Sequence, residues 1–231
     1  NPVRNTDWLD PVLRTGVQTS HNVSINGGTE NTQYMISGNF LLQDGVVKNN
    51  GMDRYSLRAN LDQRLSKYVK VGLNLTATRS QYDNVPLGDG DSENASLLVA
   101  AARFNPLMPI RDENGDYTMN PDATFLPNPV SMLDITDKTS KDRLLGTFYI
   151  DIEPIKDLHI KGNFGLDRNY QKRKTYLPTT TLYGQKQNGA ATIAQQDNND
   201  YLMELTASYL KSFGDHSINA LLGHSYQRFD K

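Results

Sequence analysis

Side chains able to do covalent or metal chemistry are few in this chain and widely spaced. Asp89-Gly90-Asp91-Ser92-Glu93 puts carboxylates at alternate loop positions, a pattern that suits a hard cation such as calcium. It lacks the full ligand set of a calcium loop, and acidic glycine-containing segments commonly cap the helix that follows, so it is read as turn and cap. Asp151 and Glu204 have the look of paired acids, but both fall on the polar side of alternating segments, where carboxylates lining a wet interior account for them. His21, His159, His216 and His224 are scattered, and no metalloprotease, nucleophile-elbow or phosphate-loop motif occurs. With Cys 0 there is no thiolate nucleophile, no disulfide and no thiolate metal site. No catalytic, cofactor-binding or metal-ligating residue is assigned, and the chain is read as a non-enzyme with no cofactor.

Binding chemistry is better represented. Lys172, Arg173 and Lys174 form a basic cluster that would meet lipopolysaccharide phosphates or stand as solvated loop charge. Tyr117, Phe125, Tyr176 and Tyr183 would stack on sugars, grip peptides or pack on one another, so no substrate-binding residue is singled out. The sequons at Asn22, Asn74 and Asn94 are short, and the first two fall inside predicted strands, where they reflect a polar face. A formal net charge of −2 with 22% charged residues leaves no basic footprint, which argues against nucleic acid as a partner. Hydrophobic residues make up 37% of 231, the mean hydropathy is −0.61, and no apolar run is long enough for a transmembrane helix. A transmembrane barrel escapes that exclusion, because its alternating strands average to polar.

The elements that must position these residues are strands. Period-two alternation appears in eight segments, each with one apolar parity. The first four carry Val23 and Ile25; Tyr34, Ile36, Gly38, Phe40 and Leu42; Tyr55, Leu57, Ala59 and Leu61; and Val69, Val71, Leu73, Leu75 and Ala77. The second four carry Leu144 through Ile152, Leu158 through Leu166, Tyr201 through Tyr209 and Ile218 through Tyr226, each at every second position. These segments exceed the usual globular strand of about 5–6 residues and match a tilted membrane-spanning strand of about 9–11. Tight turns near 27–31, 65–68, 153–157 and 212–216 alternate with longer connections at about 44–52, 81–142 and 168–199. A meander then has every short turn at one rim and every long loop at the other, the asymmetry of an outer-membrane barrel. Tyr34 and Tyr209 beside short turns, and Tyr55, Tyr170, Tyr201 and Tyr226 near long loops, would form two interfacial girdles.

The predicted architecture is all-β: an antiparallel up-and-down barrel segment of about eight strands, with long extracellular loops and short helices in the loops. Residues 1–17 form a loop with a short helix from Trp8 to Thr15 capped by Asp7, and 18–80 form four strands. Residues 81–142 form a long loop whose helix runs from Glu93 to Phe104 behind Ser92, and 143–229 form four more strands. The prolines within 105–130 make that stretch ordered coil. The ends of the chain, Asn1-Pro2-Val3-Arg4 and a strand-like run, read as those of a piece of a longer polypeptide.

Several strings together resemble the early barrel of the SusC/RagA family of TonB-dependent outer-membrane transporters. They are Asn5-Thr6-Asp7-Trp8, His21-Asn22-Val23-Ser24-Ile25-Asn26-Gly27-Gly28, Asp44-Gly45-Val46-Val47-Lys48 and Arg54-Tyr55-Ser56-Leu57-Arg58-Ala59-Asn60-Leu61-Asp62-Gln63. Arg143-Leu144-Leu145-Gly146, Glu153-Pro154-Ile155-Lys156 and Ser212-Phe213-Gly214-Asp215-His216 follow in family order. The resemblance implies a barrel of about 22 strands around an N-terminal plug missing from this chain. It implies coupling to the TonB complex through that plug, a SusD-like surface lipoprotein as partner, contact with outer-membrane lipid, and import of glycans or peptides. The implied location is the outer membrane of a Gram-negative, Bacteroidetes-like cell. Two other architectures fit the alternation: a soluble β-sandwich acting as a carbohydrate-binding module, and a small closed outer-membrane barrel of structural or adhesin type.

Overall fold

Eight antiparallel strands run in sequence order through a single sheet. The computed structural model describes residues 5–86 and 96–230. The strands are β1 (Gln18–Gly28), β2 (Thr32–Asp44), β3 (Gly51–Arg64), β4 (Val69–Asp83), β5 (Thr136–Ile155), β6 (Leu158–Leu177), β7 (Ala190–Phe213) and β8 (His216–Asp230). Among the described residues there is one sheet and no pairing between β1 and β8. That excludes both the sandwich, which needs a second sheet, and the small barrel, which needs those two edges joined.

Every turn at one end is short, and each has a local chemical cause. Thr29 Oγ1 accepts from the backbone N–H groups of Asn31 (3.3 Å) and Thr32 (3.2 Å), closing β1 on β2. Ser66 Oγ does the same for Tyr68 N–H between β3 and β4. Asp157, at φ 72°, turns β5 into β6 beside a register shift between Ile152 and Ile155, and Gly214, at φ 56°, turns β7 into β8. The opposite end carries all the long connections. There the strands run further than alternation predicts: β4 reaches Asp83, β5 begins at Thr136, β6 reaches Leu177 and β7 begins at Ala190. In these extensions both parities are largely polar, so no hydrophobic period marks them. Cross-strand ion pairs such as Arg79 with Asp142 (2.6 Å) and Lys138 with Asp83 (3.1 Å) accompany them instead.

The long connections fold into one packed cap. The N-terminal segment, the β2–β3 connection and the β4–β5 connection together bury Trp8, Val12, Val47, Val85, Leu97, Phe104, Leu126 and Met132. The cap holds helix α1 (Leu97–Arg103), whose N-terminus is capped by the Ser96 side chain. The helix is shorter than expected, and its expected cap Ser92 lies outside the described residues. It ends at Phe104, whose ψ of 145° begins the extended chain leading into Asn105-Pro106. No helix forms from Trp8 to Thr15. Asp7 Oδ1 accepts from Leu9 and Asp10 N–H as a cap would, but after one turn Leu13 bridges to Val47, and Lys48 N–H donates to Val12 O (2.9 Å). Pairing with the β2–β3 connection takes the backbone groups that a helix would need.

Candidate functional site

The sheet has two faces of different chemistry, and the register defines them. Residues directly opposite one another in a ladder share a face. Leu73 pairs with Leu61 and Phe148; Phe148 pairs with Phe164, and Phe164 with Met203. Leu57 pairs with Gly38 and Ala77, and Ala77 with Leu144. Across the seven ladders the parity expected to be apolar pairs with itself, apart from the one-residue shift at the β5–β6 turn, where Leu158 meets Ile155. That face stays uncovered: Val23 is 70% exposed, Leu57 52% and Leu222 76%. On β4 it runs unbroken from Val69 to Ala77, about 27 Å along the strand at about 3.4 Å per residue. Tilted by about 40°, this spans about 20 Å, close to the apolar band of about 25 Å of a membrane barrel.

The other face is polar and cross-linked. Asn74 Nδ2 donates to Thr147 Oγ1 (3.3 Å), Asn163 Nδ2 to Glu204 Oε2 (3.4 Å), and Arg143 makes a two-point contact with Asp167 (2.9 and 2.6 Å). His159 Nδ1 lies 3.1 Å from Asp151 Oδ1. Asp151 and Glu204 therefore take separate partners and do not form a carboxylate pair. Tyr149 reaches from β5 across β4 to donate to Asp62 Oδ1 on β3 (2.7 Å). It can do so because Gly72 lies beneath its ring, where any Cβ would collide. Gly72→Val is expected to break this bond and lower the folded fraction of the full-length protein on a cold detergent gel. Adding Tyr149→Ala should restore it, and no restoration would remove the steric account.

At the long-loop end the cap settles on this polar face, where Leu41, Ser80, Asp137 and Thr139 are buried. Its own coil is built on side-chain turns. Asn105, Asp112, Asn120 and Asn128 each accept from the N–H two residues on. Asn128, 1% exposed, also donates to Ile110 O (3.0 Å) and Thr118 O (3.1 Å), pinning three strands of coil together. Tyr117 donates to Asp134 with Arg111 over its ring, and burial and the Asp134 carboxylate push its phenol above the usual value, against the pull of Arg111. Phe125 and Tyr176 remain exposed, and burial raises the Tyr183 phenol. The basic cluster divides by parity: Arg173 turns to the polar face and binds Asp137 (2.9 and 2.5 Å), while Lys172 and Lys174 lie on the opposite parity. His21 stacks on Phe40, Asn22 and Asn74 lie within β1 and β4, and the acidic loop 89–93 is outside the described residues. Among the described residues, no three metal-binding side chains cluster.

No family model matches the chain. Its relatives are informative. It is 34% identical over 227 residues to TonB-dependent receptor P3 of Formosa agariphila, covering 97% of this chain and 23% of that protein. It is 23% identical over 249 residues to TonB-dependent receptor SusC of Bacteroides thetaiotaomicron, covering 98% and 24%. Among solved structures it superimposes on the RagAB peptide transporter with a TM-score of 0.76 at 21% identity, covering 98% of this chain and 26% of that one. The open-open state of the RagAB peptide importer gives 0.77 at 22% identity, covering 97% and 25%. The chain thus spans about a quarter of the length of the relatives it matches. With its continuous apolar face, its polar opposite face and its one-ended loops, this chain belongs to the SusC-like TonB-dependent receptors as a stretch of their β-barrel.

Proposed function

We propose that this chain is a wall segment of a TonB-dependent importer in the outer membrane of a Gram-negative, Bacteroidetes-like cell, carrying nutrient oligomers without covalent chemistry. The apolar parity faces lipid, the polar parity faces the lumen, the cap of long connections stands outside the cell, and the short turns stand in the periplasm. Energy comes from the TonB complex acting through an N-terminal plug. A SusD-like surface lipoprotein delivers the glycan or peptide cargo at the cap. The reading is carried by one observation, a single apolar parity that runs through the ladders and is left uncovered along the sheet, where a soluble protein would bury that face against a second layer.

Two measurements test it. With the full-length protein in intact cells, a membrane-impermeant thiol reagent should label Phe125→Cys in the cap. Asp215→Cys in the β7–β8 turn should be labelled only after the outer membrane is opened, and the reverse pattern would sink the orientation. Removing the full-length protein should abolish uptake of oligosaccharides or of oligopeptides, and which pool is lost names the cargo. Undiminished uptake of both would count against import.

A further inference from the structure

The apolar face is interrupted at its long-loop end. On β6 the sequence of that face runs Leu158, Ile160, Gly162, Phe164, Leu166 and then Arg168, Tyr170, Lys172, Lys174. In the neighbouring strands the same boundary falls between Ala77 and Arg79 and between Leu144 and Asp142. Here the surface holds a hollow of about 920 Å³, lined in its apolar part by Val23, Gly38, Leu57, Ala77 and Leu144. The hollow has small residues on both sides of Leu57: Gly38, where nothing lies within 4 Å of an added Cβ, and Ala77. His21, Phe40 and Tyr55 form an aromatic wall, His21 stacked on Phe40 with ring centroids 6.4 Å apart and Tyr55 tilted against Phe40 at 4.9 Å.

The charged rim is asymmetric. Arg79 is held at two points by Asp142 (2.6 and 2.8 Å) and is neutralised there. Arg168 makes a single 3.3 Å contact with Asp197, which leaves most of its donors unused. Lys172 and Lys174 lie further along β6 and line a separate hollow that they share with Asp44, Asp53 and Asp83, so Arg168 is the cation this rim offers. An apolar floor that opens on a cationic rim complements an anionic amphiphile, and the volume is that of a ligand site of about 300–1,000 Å³.

We propose that this hollow binds a phosphorylated lipid of the surrounding membrane, with an acyl chain laid over Gly38 and Ala77 and the phosphate held by Arg168. The inference rests on the apolar parity facing the bilayer. It adds to that a defined site where the lipid leaflet at the cap side is gripped, fixing this stretch of wall in register with the headgroups.

The test uses the full-length transporter in detergent, titrated with dioleoyl phosphatidic acid and with dioleoylglycerol, which lacks the phosphate, and read by native mass spectrometry. Phosphatidic acid should bind more tightly than the diacylglycerol. Arg168→Ala should weaken phosphatidic acid about tenfold, and Gly38→Leu, which fills the floor without touching the rim, should weaken both lipids. Unchanged binding in both variants would overturn the site. Displacement of phosphatidic acid by millimolar inorganic phosphate would reassign it to a free anion and overturn the lipid. A fluorophore on Leu73→Cys in the same preparation separates the two readings. If brominated detergent does not quench it, the membrane-facing parity itself fails. If it is quenched while the lipids are not discriminated, only the lipid site fails.

Discussion

Replacing Leu73 by arginine is expected to cost the full-length protein about 2–4 kcal/mol of barrel stability, while Asn74→Arg, one residue along, costs a small fraction of that. Leu73 is the central residue of the apolar run on β4, and it is flanked on its face by Leu61 and Phe148, so a guanidinium there has no carboxylate partner and no water. Asn74 points the other way, opposite Asn60 and Thr147, where a cation meets a polar wall. Thr76 would be a poorer control, because it lies opposite Arg58 and adds like-charge repulsion to the comparison. The stated cost corresponds to a shift of about 30- to 900-fold in the folding equilibrium, measurable by urea-dependent refolding into lipid vesicles. Equal stability of the two variants would remove the assignment of faces, and with it the membrane reading.

That such a prediction can be made from register alone reflects how much of this fold is written in the sequence. Where one face of a strand is buried in hydrocarbon and the other is wet, a slip of one residue inverts every side chain, so the alternation carries the register as well as the strand. The eight strands and their common apolar parity were legible for that reason. The upper strand extensions were not, because 136–143, 168–177 and 190–200 are polar on both sides and rise above any boundary that would impose a period. Their signal lay in cross-strand charge, with Asp137, Asp142 and Asp167 answering Arg173, Arg79 and Arg143. The expected helix from Trp8 to Thr15 failed for a related reason: its local propensity was outweighed by a distant partner, the β2–β3 connection. The hollow at Gly38 and Ala77 was invisible because both residues keep the apolar parity, and parity records character without volume. The joining of Asn128 to Thr118 and Ile110 had no periodic signature at all.

The cap is expected to open without unfolding the wall in Trp8→Ala. Trp8 is 3% exposed, stacks on Phe104 with ring centroids 4.4 Å apart, and donates from Nε1 to Asn105 O (3.1 Å). It ties the N-terminal segment to the far side of the β4–β5 connection, a link that Thr6 reinforces, its N–H and Oγ1 donating to Pro106 O and Met108 O. Deleting the indole should cost about 3–5 kcal/mol. The loss falls on the cap, because the ladders that hold the strands make no use of this side chain and the lipid-facing band is untouched. The population of opened cap should rise by at least about 100-fold, since each 1.4 kcal/mol is about a factor of ten, and proteolysis of a transiently open segment follows that population. Trypsin acting on the full-length protein in outer-membrane fragments should therefore cut after Arg103 and Arg111 far faster in Trp8→Ala than in the parent, while the barrel keeps its folded mobility on a cold gel. Trp8→Phe, which retains a ring against Phe104, should recover most of the protection. If Trp8→Ala instead unfolds the barrel, cap and wall form one cooperative unit, and the loops are part of what holds the strands. If it changes neither cleavage nor mobility, the Trp8 contact does not hold the cap closed. The expected result, an open cap on an intact wall, would mean that the loop structure over the lumen can change its conformation without disturbing the barrel that carries it.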